Sequence, residues 1–360
     1  MWVWLFMLIS IILVRFLIPD AIGEKKKNLI FLGVSFCILV FVMGSRSPHM
    51  SGSNDMMSYF RCYGNALYQS TGEMIDHYRF EAGYIILNEI LAWLAPWNYF
   101  ILYFEAAFCT FVMFWYIYRN ADSVFLAVIV YICLGPWQFF LTGFRQTIAI
   151  CLCFIAFEFL KKHKTMWDLA ALALIALAAS MHTTAWIFLS AFLIRKFRIT
   201  KKVVIYTGIL TLFLFLFVDD IVAFGNDILD KNYALAYRGN VLGGLIPILI
   251  YIFALILTYF IWTWDSTYLD KNGFEVAMLI VGMCIYFLRY TSIIMERISF
   301  YFTPTIIIVL SNGITRQRTK TVRNIAFVAC IVVCFALFIY RTLVQYGDYH
   351  FYWEYLEGLA

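Results

Sequence analysis

Apolar runs of about 20 residues or slightly fewer recur along the chain: Trp2–Leu17, Leu29–Met43, Tyr99–Tyr118, Ile246–Trp264 and Ile325–Tyr340. Runs of that length cross the hydrocarbon of a bilayer as helices, because a backbone in lipid must satisfy its own hydrogen bonds. The alternating pattern of a membrane barrel is absent. Of 360 residues, 64% are hydrophobic and 14% charged, with a mean hydropathy of +0.83. Soluble domains sit near 45–50% and about 25%, so a soluble class is excluded. The first run has no basic residue before it and no small-residue cleavage site after it, so it is expected to be a span and not a removed signal.

The basic residues give the runs a direction. Lys25–Lys27, Lys161–Lys164, Arg195–Lys202 and Arg316–Arg323 are four clusters, and cytoplasmic loops carry such clusters. With all four inside, the expected fold is all-α: a polytopic bundle of about 12 spans with both termini outside. The spans fall near 2–18, 28–44, 99–118, 123–141, 145–160, 166–181, 183–194, 203–218, 241–264, 274–290, 294–313 and 324–341. Residues 1–360 then form one integral-membrane domain, with outer loops at 45–98 and 219–240. The net charge of +5 reports this orientation and not nucleic-acid binding.

Eighteen Lys and Arg lie inside and nine outside: Arg46, Arg61, Arg79, Arg145, Lys231, Arg238, Arg289, Arg297 and Arg341. Eight of these nine are Arg. A guanidinium that defies the sidedness rule at a span end calls for an anionic partner. The spans on either side of His182 are short, so the break at Ser180–Thr184 is expected to lie below the outer surface and line a cavity. Ala82–Trp97 reads as an amphipathic segment on the membrane surface, and Asp219–Asn240 as a lid.

Four places combine polar chemistry with a span end. The first outer loop holds Arg46, then Gly52-Ser53-Asn54-Asp55, Tyr59, Arg61, Tyr63, and then Glu81, Gly83 and Tyr84. These residue types suit an anion and sugar site, or alternatively Arg–carboxylate pairs that fix a solvated loop. Arg145 and Gln146 open an apolar span. Arg145 can snorkel from that end, but snorkelling leaves Gln146 unexplained, and the two together suggest a wet cavity. His182, with Thr183 and Thr184, interrupts two apolar segments; it is either a satisfied core histidine or a general base. Arg289, Glu296, Arg297 and Tyr301 close the set. Arg297 and Tyr301, four apart, are expected to share a helical face, with an inter-helix ion pair as the plainer reading.

Nine cysteines are scattered without a C-x-x-C, and they read as packing residues. D-x-D, H-E-x-x-H, a P-loop and G-x-G-x-x-G are all absent. No metal and no cofactor is expected, and the substrates must arrive already activated.

With these residues in hand, the chain resembles the EpsG family, which is similar to the Wzy O-antigen and capsule polymerases. The resemblance rests on Arg46, Gly52, Asp55 and Tyr59; Glu81, Gly83 and Tyr84; Arg145 and Gln146; His182, Thr183 and Thr184; and Arg297 with Tyr301. Gly52-Ser53-Asn54-Asp55 is one residue longer than the family's Gly-x-Asp element. The resemblance implies a GT-C-like bundle with its site on the outer face. It also implies a reaction: transfer of a growing glycan from undecaprenyl pyrophosphate onto the non-reducing end of a lipid-linked repeat unit. On that reading the partners are the undecaprenyl-pyrophosphate-linked oligosaccharide and polysaccharide and the membrane lipid, with room for a chain-length regulator. Arg145, Arg289, Arg297 and then Arg46 are the expected pyrophosphate ligands. His182 is the first candidate base and Asp55 the second; Glu81 orients the acceptor sugar or an Arg. Tyr59, Tyr84, Gln146 and Tyr301 are expected to meet substrate. The rival class is a transporter or flippase of lipid-linked oligosaccharide. Such a fold tends to carry internal repeats and paired broken helices, which the sequence lacks.

Overall fold

The structure is a computed structural model, and it describes residues 2–49, 54–134, 137–217, 220, 223–224, 241–290, 292–343 and 349–355. Its helices are α1 (Trp2–Leu17), α2 (Glu24–Gly44), α3 (Asn54–Asn65), α4 (Thr71–Tyr78), α5 (Ala82–Leu94) and α6 (Phe100–Asn120). They continue with α7 (Val124–Cys133), α8 (Trp137–Phe140), α9 (Phe144–Leu160), α10 (Thr165–Met181), α11 (Ala191–Ile194) and α12 (Lys201–Phe215). The last are α13 (Val241–Trp264), α14 (Tyr268–Phe287), α15 (Ile294–Ser299), α16 (Ile306–Thr315) and α17 (Lys320–Arg341). No strand occurs among the described residues; Arg46 and Phe351 make an isolated antiparallel bridge.

Among the described residues, five helices are long and apolar enough to cross a membrane: Glu24–Gly44, Phe100–Asn120, Gly244–Trp264, Tyr268–Tyr290 and Lys320–Arg341. Trp2–Leu17, Ala82–Leu94, Val124–Cys133, Thr165–Met181, Thr183–Ile194, Ile205–Phe215 and Thr303–Thr315 are shorter apolar helical stretches. Two expected spans are interrupted. The run 123–141 divides into α7 and α8. The run 294–313 divides into α15, a 3-10 turn at Thr303–Thr305 and α16. Pro304 sits at the start of that turn, where its missing N–H and fixed φ begin a helix and cannot continue one. Of the expected loop 219–240, only 220, 223 and 224 are described.

Burial orders the helices. In α9, 14 of 17 residues are buried, so it is the axis of the bundle, packed against α6 and α10. By contrast, α17 buries only Ala326, Cys330, Cys334, Leu337 and Phe338, a single stripe at helical spacing. Its other face, with Ile325, Val328 and Val332, is exposed and suits lipid. Close approach between helices uses small residues, as is usual where lipid tails are as apolar as Leu. The buried side of α10 is built on Ala171, Ala178 and Ala179. A Cβ at Gly282 of α14 would lie 2.9 Å from the Thr303 amide nitrogen.

The segment between α2 and α6 was expected to be a polar stretch followed by one amphipathic segment. Its described residues form three helices, α3, α4 and α5. A capping box between Ser70 and Glu73 starts α4 and explains why this polar sequence is helical. After Arg79 ends α4 in the left-handed region, the chain turns into α5 with Glu81 at its N-cap.

Candidate functional site

Arg145 is the second residue of α9, and Lys161 follows its last. At about 1.5 Å per residue the two are roughly 24 Å apart, at opposite ends of the buried axis. The Arg145 end gathers residues from four separate stretches.

Glu81 is the hub. Its carboxylate pairs with Arg145 and accepts from the Thr183 amide at 3.2 Å and the Thr183 hydroxyl at 2.9 Å. Gly83 makes this contact possible. A Cβ there would come within 2.7 Å of the Ser180 carbonyl oxygen, a backbone atom that cannot step aside. Glycine therefore lets α5 close onto the end of α10 and delivers Glu81 to Thr183. Burial raises the Glu81 carboxyl, but Arg145, His182 and the two Thr183 donors outweigh it and hold it below the ordinary carboxylate range.

Arg145 also lies over aromatic rings, 4.1 Å from the centre of Phe80 and 5.8 Å from that of Tyr59. Its Nε is buried and makes no hydrogen bond. Tyr59 stacks on Phe144 at 5.2 Å and meets the edge of Tyr84 at 5.8 Å. Tyr84 is fully buried, so it supports Tyr59 from beneath. Asp55 is exposed one turn before Tyr59 and acts on it electrostatically. Gly52 and Ser53 fall outside the described residues.

His182 ends α10 in an extended conformation, φ −153° and ψ 115°. Its Nδ1 is 2.7 Å from the Thr184 hydroxyl, which is 3.1 Å from the Tyr301 hydroxyl. Gln146 donates to the Arg297 carbonyl at 2.7 Å, tying α9 to α15.

Arg297 and Tyr301 do not share a helical face, because α15 stops at Ser299. Tyr301 is fully buried while Arg297 is exposed, and among the described residues the Arg297 guanidinium has no hydrogen-bond or ion-pair partner. On the other side of α15, Glu296 pairs with Arg289 at 2.9 Å, and Arg341 and Arg297 also act on it electrostatically. One guanidinium thus pairs with this carboxylate, and two more act on it from beyond ion-pair distance. Arg289 donates to the Tyr286 hydroxyl at 3.0 Å, and its buried Nε makes no hydrogen bond. Arg341 donates to Gln138 at 2.9 Å.

Arg46 stands apart from this group. Fully buried, it bonds the Met43 carbonyl, the Leu141 carbonyl at 3.0 Å and Glu105 at 3.4 Å. Its neighbours in sequence face the same helix, with Ser45 2.7 Å from the Tyr103 hydroxyl of α6. Arg46 is therefore a clamp between α2 and α6. Sequence reasoning counted Arg341 among the outer cations without choosing it, and it passed over Phe80, although Phe80 directly precedes Glu81.

A family model described as EpsG family matches residues 29–356. No curated protein and no solved structure matches the chain.

Proposed function

The chain belongs to the EpsG family, a Wzy-like polymerase family, and from that premise we propose that it is a membrane glycosyltransferase of GT-C-like fold. It moves the growing polysaccharide from undecaprenyl pyrophosphate onto the non-reducing end of a lipid-linked repeat unit. The work is done on the extracytoplasmic face of the bacterial plasma membrane, with a chain-length regulator as a further partner. The observation that carries this reading is the convergence of Glu81, Arg145, His182 and Tyr301 at the arginine-rich end of α9.

The chemistry follows from charge. As the bond between the anomeric carbon and the diphosphate oxygen breaks, negative charge grows on the leaving group. Guanidiniums fixed in place stabilise that charge and bind phosphate oxygens in pairs. Arg297 offers an unanswered guanidinium at an exposed position, and Arg289 and Arg341 extend the positive region around Glu296. Arg145, already joined to Glu81, steadies the acceptor side and lends the diphosphate its remaining field. Arg46 leaves the diphosphate set, since no ligand reaches a fully buried side chain.

His182 takes the proton of the attacking sugar hydroxyl, a role worth about 10²–10⁴-fold in rate. Asp55 sits at the rim beside Tyr59, where it hydrogen-bonds acceptor hydroxyls. Tyr59, buried against Phe144, Phe80 and Tyr84, positions Arg145 and does not itself meet the sugar. No step needs a metal, so EDTA leaves polymerisation unchanged.

Deleting the gene and separating surface glycans on a gel tests the function. Single-repeat glycans in place of a ladder support a polymerase; loss of all surface glycan with repeat units trapped in the cytoplasm supports a flippase instead.

A further inference from the structure

The two threonines after His182 have separate tasks. Thr183 serves Glu81 through its amide and hydroxyl. Thr184 serves His182, and behind it stands the fully buried Tyr301. We propose that Thr184 and Tyr301 form a fixed hydrogen-bond chain that orients the His182 ring and accepts its Nδ1 proton while Nε2 collects the proton of the attacking hydroxyl. Thr184 is then a positioning residue, and this rests on the reading of His182 as the base.

The geometry suits the task. His182 and Thr184 are two residues apart across the step from α10 to the 3-10 helix Thr183–Ser190, so the backbone itself sets their 2.7 Å contact. A hydroxyl has one proton and accepts in two further directions. When Nδ1–H donates to Thr184, the threonine passes its own proton toward the Tyr301 oxygen at 3.1 Å. That polarity leaves Nε2 without a proton and able to take one. Once Nε2 is protonated, the imidazolium keeps its Nδ1–H on Thr184. A neutral hydroxyl chain thereby does what a carboxylate does behind the histidine of a hydrolase triad, orienting the ring and stabilising its charged form, though with less electrostatic force.

The proton balance closes within this chain. The sugar hydroxyl loses its proton to Nε2 and its oxygen bonds the anomeric carbon. The carbon–diphosphate bond breaks, and its electron pair leaves on the diphosphate. The proton returns to water afterwards. Among the described residues, the charged and titratable groups around the ring include Glu81 before α5, Arg145 of α9 through its pair with Glu81, and Tyr301 after α15.

The test uses the full-length protein in proteoliposomes, fed lipid-diphosphate-linked repeat units extracted from a strain lacking the gene. Thr184→Val removes the hydroxyl at nearly constant volume. Its kcat is expected to fall about 10- to 100-fold, short of the ~10²–10⁴-fold of losing a base outright, with KM nearly unchanged. The acid limb of its pH profile moves to lower pH, because the imidazolium has lost its acceptor. Thr184→Ser restores both, and Tyr301→Phe shows a weaker form of the same shift. Thermal melting in detergent confirms that each variant is folded. Wild-type kinetics and an unmoved pH profile in Thr184→Val, beside a dead His182→Ala, overturn the chain and leave His182 as base. Equal losses in Thr184→Val and Thr184→Ser with an unmoved profile also overturn it, since they indicate packing alone. An active His182→Ala overturns the underlying reading, and this proposal with it.

Discussion

The two ends of α9 carry polar clusters of similar size in one apolar bundle, and they differ in how completely their charges are answered. At the lysine end, Lys161 donates to Asn120 at 2.9 Å, to Glu158 at 2.7 Å and to Glu275. Arg119 closes the other Glu158 oxygen at 2.9 Å. Nearby, Asp122 takes Arg316 at 2.5 Å and Lys271 at 3.1 Å, while Asp168 takes Arg195 through both guanidinium nitrogens. Asn312 links α16 to Asn272 of α14 and to the Asn120 carbonyl of α6, both at 3.0 Å. Each of these cations has a carboxylate, and the network ties α6, α9, α14 and α16 together.

The arginine end is unfinished by comparison. Arg297 has no hydrogen-bond or ion-pair partner among the described residues, the buried Nε atoms of Arg145 and Arg289 make no hydrogen bond, and Glu296, paired with Arg289, is the carboxylate on which Arg341 and Arg297 also act at longer range. Native interiors pair their buried polar groups; Glu275 Oε2 at the lysine end is also unbonded, so what sets the arginine end apart is the exposed guanidinium of Arg297, which faces no carboxylate at ion-pair distance among the described residues.

The largest expected effect breaks that contrast at its clearest point. Arg297→Ala removes a guanidinium that holds nothing in place, so polymer formation falls more than about 10²-fold while protein level and melting temperature stay put. Normal glycan ladders from this variant would remove the diphosphate role of Arg297. Lys161→Ala does the reverse. It strands Glu158 and Glu275 without their cation, a loss on the scale of about 3–5 kcal/mol for a broken buried pair. Its melting temperature in detergent drops, and the molecules that remain folded polymerise at a near-normal rate.

A smaller effect is expected at Gly83. Gly83→Ala forces α5 away from the Ser180 carbonyl and pulls Glu81 off Thr183. Activity is expected to fall about 10-fold, since the rearranged carboxylate still meets Arg145 but no longer orders the segment beside the base, whose full loss is worth about 10²–10⁴. Measured kcat in proteoliposomes checks this against the wild type.

The smallest concerns pH. The Glu81 carboxyl is lowered in the folded protein, so the stability it contributes is present at neutral pH. That contribution is lost only as pH falls through the lowered value, below the ordinary carboxylate range. Between pH 8 and 5, Glu81 therefore stays ionised, and a decline in rate on acidification in that window belongs to His182, whose ordinary value is near 6.5. A pH–rate profile of Glu81→Gln checks the assignment: the acid limb persists but moves to lower pH, because the carboxylate that favours the charged imidazole is gone, and the height of the profile falls.

Much of this arrangement was legible in the chain because lipid makes polar residues conspicuous. Arg145, Gln146 and His182 stand out where apolar runs begin or break, and the order of those breaks placed them at one end. The closed network was less visible, since Lys161 looked like one more cytoplasmic lysine and its carboxylates come from α9 and α14. Arg46 was misjudged for a related reason. Its position after α2 matches a surface arginine, and only the fold reveals Glu105 of α6 opposite it. The shared face assumed for Arg297 and Tyr301 failed because a continuous helix was assumed where α15 stops short. The Thr184 link to Tyr301 spans 117 residues and has no local signal at all.

In the proposed mechanism the arginine cluster at this end of α9 performs glycan transfer. The most direct measurement places purified protein in vesicles with lipid-diphosphate-linked repeat units and follows product length on a gel. Wild-type protein should build a ladder and release the free lipid diphosphate, while Arg297→Ala should leave single repeats. A wild-type protein that elongates nothing, or an Arg297→Ala ladder indistinguishable from wild type, would contradict the account.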